Sequence, residues 1–115
     1  MIFLYGIPNC DTVKKARAWL DEKGVTFEFQ NFKTSAPTPE QLDSWLADIP
    51  LETLLNKRGT TWRALSEAEQ AQAADRNGAI RLMAERPSLI KRPVLVKDGK
   101  AYSGFKPEQY ETLFG

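Results

Sequence analysis

The rhythm of hydrophobic and polar positions changes along the chain, and each change marks an element. Residues Ile2 to Tyr5 form an unbroken apolar run closed by Gly6 and Pro8, which predicts a short buried strand. From Asp11 to Lys23 the apolar side chains recur at helical spacing, as Val13, Ala16, Trp19 and Leu20, and Gly24 follows where a helix C-terminus favours it. The segment VTFEFQNF then alternates, with Val25, Phe27 and Phe29 turned to one side as in a second strand. Strand, helix and strand with short joints predict a right-handed parallel unit.

The pattern breaks at TSAPTPEQ, where Thr38 suits an N-cap, Pro39 the first helical position and Glu40 and Gln41 the first turn. Helical spacing resumes through Leu42, Trp45, Leu46 and Ile49, and again through Leu51, Leu54 and Leu55. Ser66 caps a further helix over EAEQAQAADR, and GAIRLMAERP predicts another that Pro87 stops. After SLIKRP, the segment VLVKDGKAYSG predicts two short strands joined by a tight turn at Asp98 and Gly99. Pro93 opens the first of them, where a missing N–H need not cost a ladder bond. Lys106 and Pro107 then begin a last amphipathic helix through Tyr110, Leu113 and Phe114. The order is that of an α/β, thioredoxin-like fold: a βαβ unit and a ββα unit share a four-stranded mixed sheet, with a central all-helical insertion at about residues 38–90. At 115 residues the chain is expected to form a single domain over 1–115.

Charge narrows the partners. Sixteen basic and fifteen acidic side chains leave a net charge of +1, which supplies no global field for nucleic acid or an anionic membrane, so neither is expected as a direct partner. No apolar run approaches the roughly 18 residues of a membrane span, and MIFLYGIPNC lacks the basic start of a signal peptide; a cytoplasmic location is expected. One cysteine cannot close an internal disulfide. With no histidine, a Cys–His catalytic pair, a histidine metal site and the usual zinc clusters are excluded, and no metal is expected. Chemistry must run through Cys10, carboxylates or bound cations.

Cys10 sits within GIPNCDTVKKA, in the joint between the first strand and first helix. Free N–H groups and the positive end of the helix dipole favour a thiolate there. Lys14, four residues on, shares its face if the helix starts by Cys10, whereas the nearby charge of Asp11 opposes. A thiol of ordinary acidity is only roughly 3% ionised at neutral pH, and lowering a pKa from about 8.5 to about 6.5 takes about 2.7 kcal/mol. A helix dipole supplies about 0.3 to 1 kcal/mol, up to about 2. A second cation brought in from elsewhere in the fold is therefore expected. Cysteine is often inert packing, but a turn after GIPN, off any apolar stripe, is the setting of a reactive one. Trp19, Trp45 and Trp62 read as packing aromatics, and NKRGTTW as a basic turn between helices.

Taken together, GIPNCDTVKKARAWL, LLNKRGTTWRAL, SLIKRPVLV and GFKPEQY resemble the arsenate reductase (ArsC) family along essentially the whole chain, in the branch that holds YffB-like and Spx-like proteins. The resemblance implies a reactive thiol at Cys10 and a cis peptide before Pro93. It also implies that Arg92 matches one of three arginines that hold an oxyanion in glutaredoxin-coupled arsenate reductases. Asn56 and Lys106 stand where the other two would be, and neither offers the bidentate fork of arginine. Spx-like regulators carry a Cys-x-x-Cys switch and bind the RNA polymerase α subunit; here Val13 occupies the second cysteine position. The reading that fits the remaining facts is a glutathione-dependent thiol-disulfide reductase with Cys10 as its single nucleophile. Glutathione is the implied co-substrate, and glutathione or glutathionylated substrates are the implied partners. The backbone of Arg92, before Pro93, would pair with the peptide part of the substrate. The side chains of Arg92, Lys14 and Arg58 would stabilise the thiolate and the glutathione carboxylates, and Asn9 would fix the loop. A polymerase-binding regulator or other adaptor is the alternative, and an arsenate reductase partnered by glutaredoxin the third reading.

Overall fold

The computed structural model describes residues 1–115. Its elements are β1 (Ile2–Gly6), α1 (Asp11–Glu22), β2 (Glu28–Asn31), α2 (Pro39–Leu46), α3 (Leu51–Leu54), α4 (Thr60–Arg63), α5 (Glu67–Gln72), α6 (Arg76–Glu85), a 3₁₀ turn (Pro87–Leu89), β3 (Val94–Lys97), β4 (Lys100–Ser103) and α7 (Pro107–Phe114). The sheet order is β2-β1-β3-β4, with β1 parallel to β2 and β3 antiparallel to both β1 and β4. This is the thioredoxin-like arrangement that the sequence pattern predicts. Asp98 and Gly99 take φ of 52° and 84°, the paired left-handed conformation of a two-residue hairpin turn.

Strand alternation sorts the core onto the two faces of the sheet. Leu4 and Leu95 pack with Ala16 and Leu20 of α1 and Tyr110 of α7. Tyr5, Val94, Val96 and Ala101 pack on the opposite face with the helical insertion, through Leu42, Trp45, Leu82 and Met83. Tyr5 anchors that side, its ring centroid 4.9 Å from that of Trp45. Gly6 lets α1 approach the sheet, because a Cβ there would lie 2.7 Å from a methyl of fully buried Val13.

The insertion is helical from Pro39 to Glu85, in five short helices. The capping signals hold in detail. The Thr38 hydroxyl accepts from the Gln41 N–H while the Gln41 side chain accepts from the Thr38 N–H, and Ser66 and Glu69 make the same reciprocal pair. The second strand is shorter than its alternation predicts. Val25 still donates its N–H to Leu20 O, returning the chain off α1, so the ladder starts only at Glu28. No helix is long and apolar enough to cross a membrane.

Candidate functional site

Cys10 is the N-cap of α1, in extended conformation, and its carbonyl accepts the first helical hydrogen bond from Lys14 N–H at 2.9 Å. No side chain caps this helix, so its first-turn N–H groups have no protein side-chain acceptor. The half-buried thiol lines a cleft of about 380 Å³. Asn56, Lys91, Arg92, Ser103 and Lys106 line the same cleft, which contains no carboxylate.

Three separate parts of the chain converge there. An isolated antiparallel bridge between Leu55 and Ile90 ties the end of α3 to the segment before β3. In it Asn56 N–H donates to Leu89 O at 2.7 Å and Lys91 N–H donates to Leu54 O at 2.8 Å. That pair of bonds sets Asn56, Lys91 and Arg92 side by side. The loop before α7 is fixed by Gly104 N–H donating to Pro93 O at 2.8 Å, which brings Ser103 and Lys106 to the opposite wall.

The electrostatics are one-sided. Lys91, Arg92 and Lys106 make no ion pair; the protein's carboxylate pairs all involve other cations. The Arg92 guanidinium is tethered only weakly, one terminal nitrogen donating to Ser88 O at 3.4 Å, and its Nε is buried without any acceptor. A buried N–H of a charged group without a partner is uncommon and leaves a donor free for an anionic ligand. The arrangement can therefore hold a negatively charged group beside a thiol at a helix N-terminus.

The sequence candidates fall differently around this cleft. Cys10 and Arg92 line it together. Pro93 is buried beneath it, and the Arg92–Pro93 peptide is cis. Arg58 lines an adjoining cleft of about 310 Å³, which shares Asn56 and Lys91 with the first. Asn9 and Lys14 are exposed and line neither. Sequence reasoning passed over Lys91 and Ser103, and weighed Asn56 and Lys106 only as lost arginines. The signal for Lys91 was its place beside Arg92; nothing local marked Ser103. No group of histidine, cysteine or carboxylate side chains is placed to hold a metal ion.

A thiol at the head of the first helix of this four-stranded sheet, walled by unpaired cations from two distant segments, defines a thioredoxin-like protein with an anion-ready cysteine cleft. Residues 5–113 match the family model described as ArsC family, and the chain belongs to that family. It is similar to a solved YffB protein, with 44% identity, complete coverage of both chains and a TM-score of 0.94. An arsenate reductase-related protein from Brucella melitensis is 47% identical, with 98% of this chain and 93% of that one covered and a TM-score of 0.75. A global transcriptional regulator, Spx, from Streptococcus agalactiae is 30% identical, with 98% of this chain and 82% of that protein covered.

Proposed function

We propose that the protein is a glutathione-dependent thiol-disulfide reductase in which Cys10 is the nucleophile. The observation that carries this reading is the pairing of the single thiol with three cations that have no carboxylate partner, Lys91, Arg92 and Lys106, in a cleft without an acid. Such a site attracts glutathione, which carries two carboxylates and one ammonium at neutral pH, to the one thiol of the chain.

The Cys10 thiolate attacks the glutathione sulfur of a mixed disulfide, forming a Cys10–glutathione disulfide and expelling the substrate thiolate, which takes a proton from solvent. A second glutathione thiolate then attacks the glutathione sulfur of that adduct. Oxidised glutathione leaves and the Cys10 thiolate is restored. The second glutathione is required because the chain has no other cysteine to resolve the adduct. Arg92 offers its buried Nε–H to a carboxylate, and the first turn of α1 offers backbone N–H groups to the attacking sulfur. Arg58, from the adjoining cleft, supplies a further cation to the glutathione, while Lys14 and Asn9 act from outside, through the field and the loop.

The experiment is treatment with oxidised glutathione across a pH series, read by intact-protein mass spectrometry. The expected result is a single adduct that forms below about pH 8 and is absent in Cys10→Ser. Absence of that adduct in the parent overturns the proposal. An adaptor role, suggested by the Spx relative, draws less support, because Met1 is the sole large hydrophobic residue that is strongly exposed. Arsenate turnover is disfavoured by Asn56 and Lys106, which cannot grip an oxyanion as arginines do.

A further inference from the structure

The Cys10 cleft continues into another on the far side of Lys91. This neighbour, of about 450 Å³, shares Lys91, Ser103 and Lys106 with it and extends along the outer edge of β4 to Asp48, Pro50 and Gln109. The adjoining cleft at Asn56, Lys57 and Arg58 also shares Lys91, and it meets the 450 Å³ cleft at Thr53. Each is near the lower end of the roughly 300–1,000 Å³ typical of small-molecule sites. The two flanks differ in character: the first holds Lys57, Arg58 and Lys91 against Glu52 alone, and the second is mixed, with Asp48 facing the same space as Lys91 and Lys106.

The edge of β4 shows what the mixed cleft is built to take. In an antiparallel ladder, successive residues bond alternately inward and outward. Gly104 N–H donates inward to Pro93 O, while Ala101 N–H turns outward and donates to Asp48 Oδ2 at 2.9 Å. Ser103, in phase with Ala101, therefore turns its backbone N–H and C=O outward, into the wall common to this cleft and that of Cys10. Asp48 closes the strand edge at Ala101 and leaves it open at Ser103. An open strand edge beside a reactive thiol is a docking place for extended polypeptide, through main-chain hydrogen bonds.

We infer that the cleft bounded by Asp48, Pro50, Ser103 and Gln109 is a substrate site for an extended protein segment carrying a glutathionylated cysteine. The backbone of that segment pairs with Ser103, and its glutathione lies across Lys91 toward Lys57 and Arg58. This inference rests on the reductase reading for its chemistry, and it specifies that the thiol expelled by Cys10 belongs to a polypeptide rather than to a small molecule. The two halves of the disulfide then occupy different clefts, glutathione in the cationic one and the leaving thiolate in the mixed one.

The test compares two substrates, a glutathionylated unstructured peptide and the mixed disulfide of glutathione with free cysteine. The parent protein is expected to reduce the peptide with kcat/KM at least about tenfold higher. Gln109→Trp, which fills the mixed cleft, is expected to erase that preference, and Gln109→Ala to keep it. Equal kcat/KM on the two substrates in the parent overturns the inference, as does a preference that survives Gln109→Trp. Binding of the glutathionylated peptide to the Cys10→Ser chain, followed by backbone amide chemical shifts, needs no variant in the cleft. Shifts at Asp48, Ser103 and Gln109 support the site, and shifts confined to Asn56, Lys57, Arg58 and Arg92 overturn it. If those shifts appear but the parent turns over neither substrate, the peptide site stands and the reductase reading falls.

Discussion

Replacing Tyr110 with phenylalanine should make the protein more stable. The Tyr110 ring is fully buried on the α1–α7 face of the sheet, edge-on to Phe105 at 4.7 Å and to Trp19 at 5.5 Å between centroids. Its hydroxyl oxygen is buried with no hydrogen-bond partner. An unpaired buried polar group costs about 1–3 kcal/mol, and removing one oxygen gives back part of that through lost dispersion contacts. The expected net gain in Tyr110→Phe is about 1 kcal/mol, or about 4 °C in Tm for a domain of this size. The pH dependence gives an independent check. Burial holds the Tyr110 phenol well above its usual value of 10.0, so above about pH 10 the unfolded chain releases a proton that the folded chain retains. The folded state then binds more protons than the unfolded state, and stability falls as pH rises. Tyr110→Phe removes this contribution; a smaller alkaline slope remains from Tyr5, raised first by burial and then by the charge of Glu28. Urea denaturation of both proteins at pH 7 and near about pH 11 measures both effects. A variant less stable at neutral pH would refute the reasoning and mean that the hydroxyl is satisfied in solution by a buried water, and one that keeps the parent's alkaline slope would refute the burial of the phenol. Since Lys106, the N-cap of α7, and Gln109 keep their places at the clefts, Cys10 glutathionylation should proceed unchanged in this variant.

Gly6→Ala should destabilise by about 1–3 kcal/mol, because the new methyl meets Val13, and Val13→Ala in the same chain should recover part of the loss in a urea double-mutant cycle. Val13→Cys sets a second thiol one helical turn from Cys10; after oxidised glutathione, mass spectrometry should find an intramolecular disulfide in place of a lasting adduct. Raising salt from about 0.01 M to about 1 M shortens the screening length from about 30 Å to about 3 Å, so the rate of Cys10 glutathionylation should fall severalfold, and the rate with an uncharged disulfide should fall less. Thr38→Ala removes half of a capping box and should cost about 1 kcal/mol by thermal denaturation.

The fold was legible wherever local chemistry decides the backbone. Pro39 after Thr38, Ser66 three residues before Glu69, and the Asp98–Gly99 pair each fix a turn or cap from a few adjacent residues, and each stands where the pattern put it. The second strand was over-read, since alternation at Val25 and Phe27 reports a half-buried surface, not a hydrogen-bonded ladder. The length of β2 is set instead by where the chain leaves α1 and by how much of β1 it can reach.

The site was legible only in part, for the same physical reason. Cys10 at a helix start is a local feature, so a strand, a turn and an amphipathic helix suffice to place it. The cations that face it are a tertiary product. Lys91 reaches the cleft because two backbone bonds join Leu54–Asn56 to Leu89–Lys91, and no periodicity in either segment encodes that bridge. Lys14 was the natural local candidate, being on the same helix, yet it is exposed and lines neither the Cys10 cleft nor the one at Arg58. A helix N-cap and the side chain one turn on need not share a wall, because the cap residue sits off the helical spiral with its own extended backbone. Ser103 escapes sequence reading altogether, since it contributes main-chain groups, whose direction depends on the register of β4 against β3 and on Asp48 taking the neighbouring position. If that register shifted by one residue, Ser103 would face inward and the opening beside Cys10 would close.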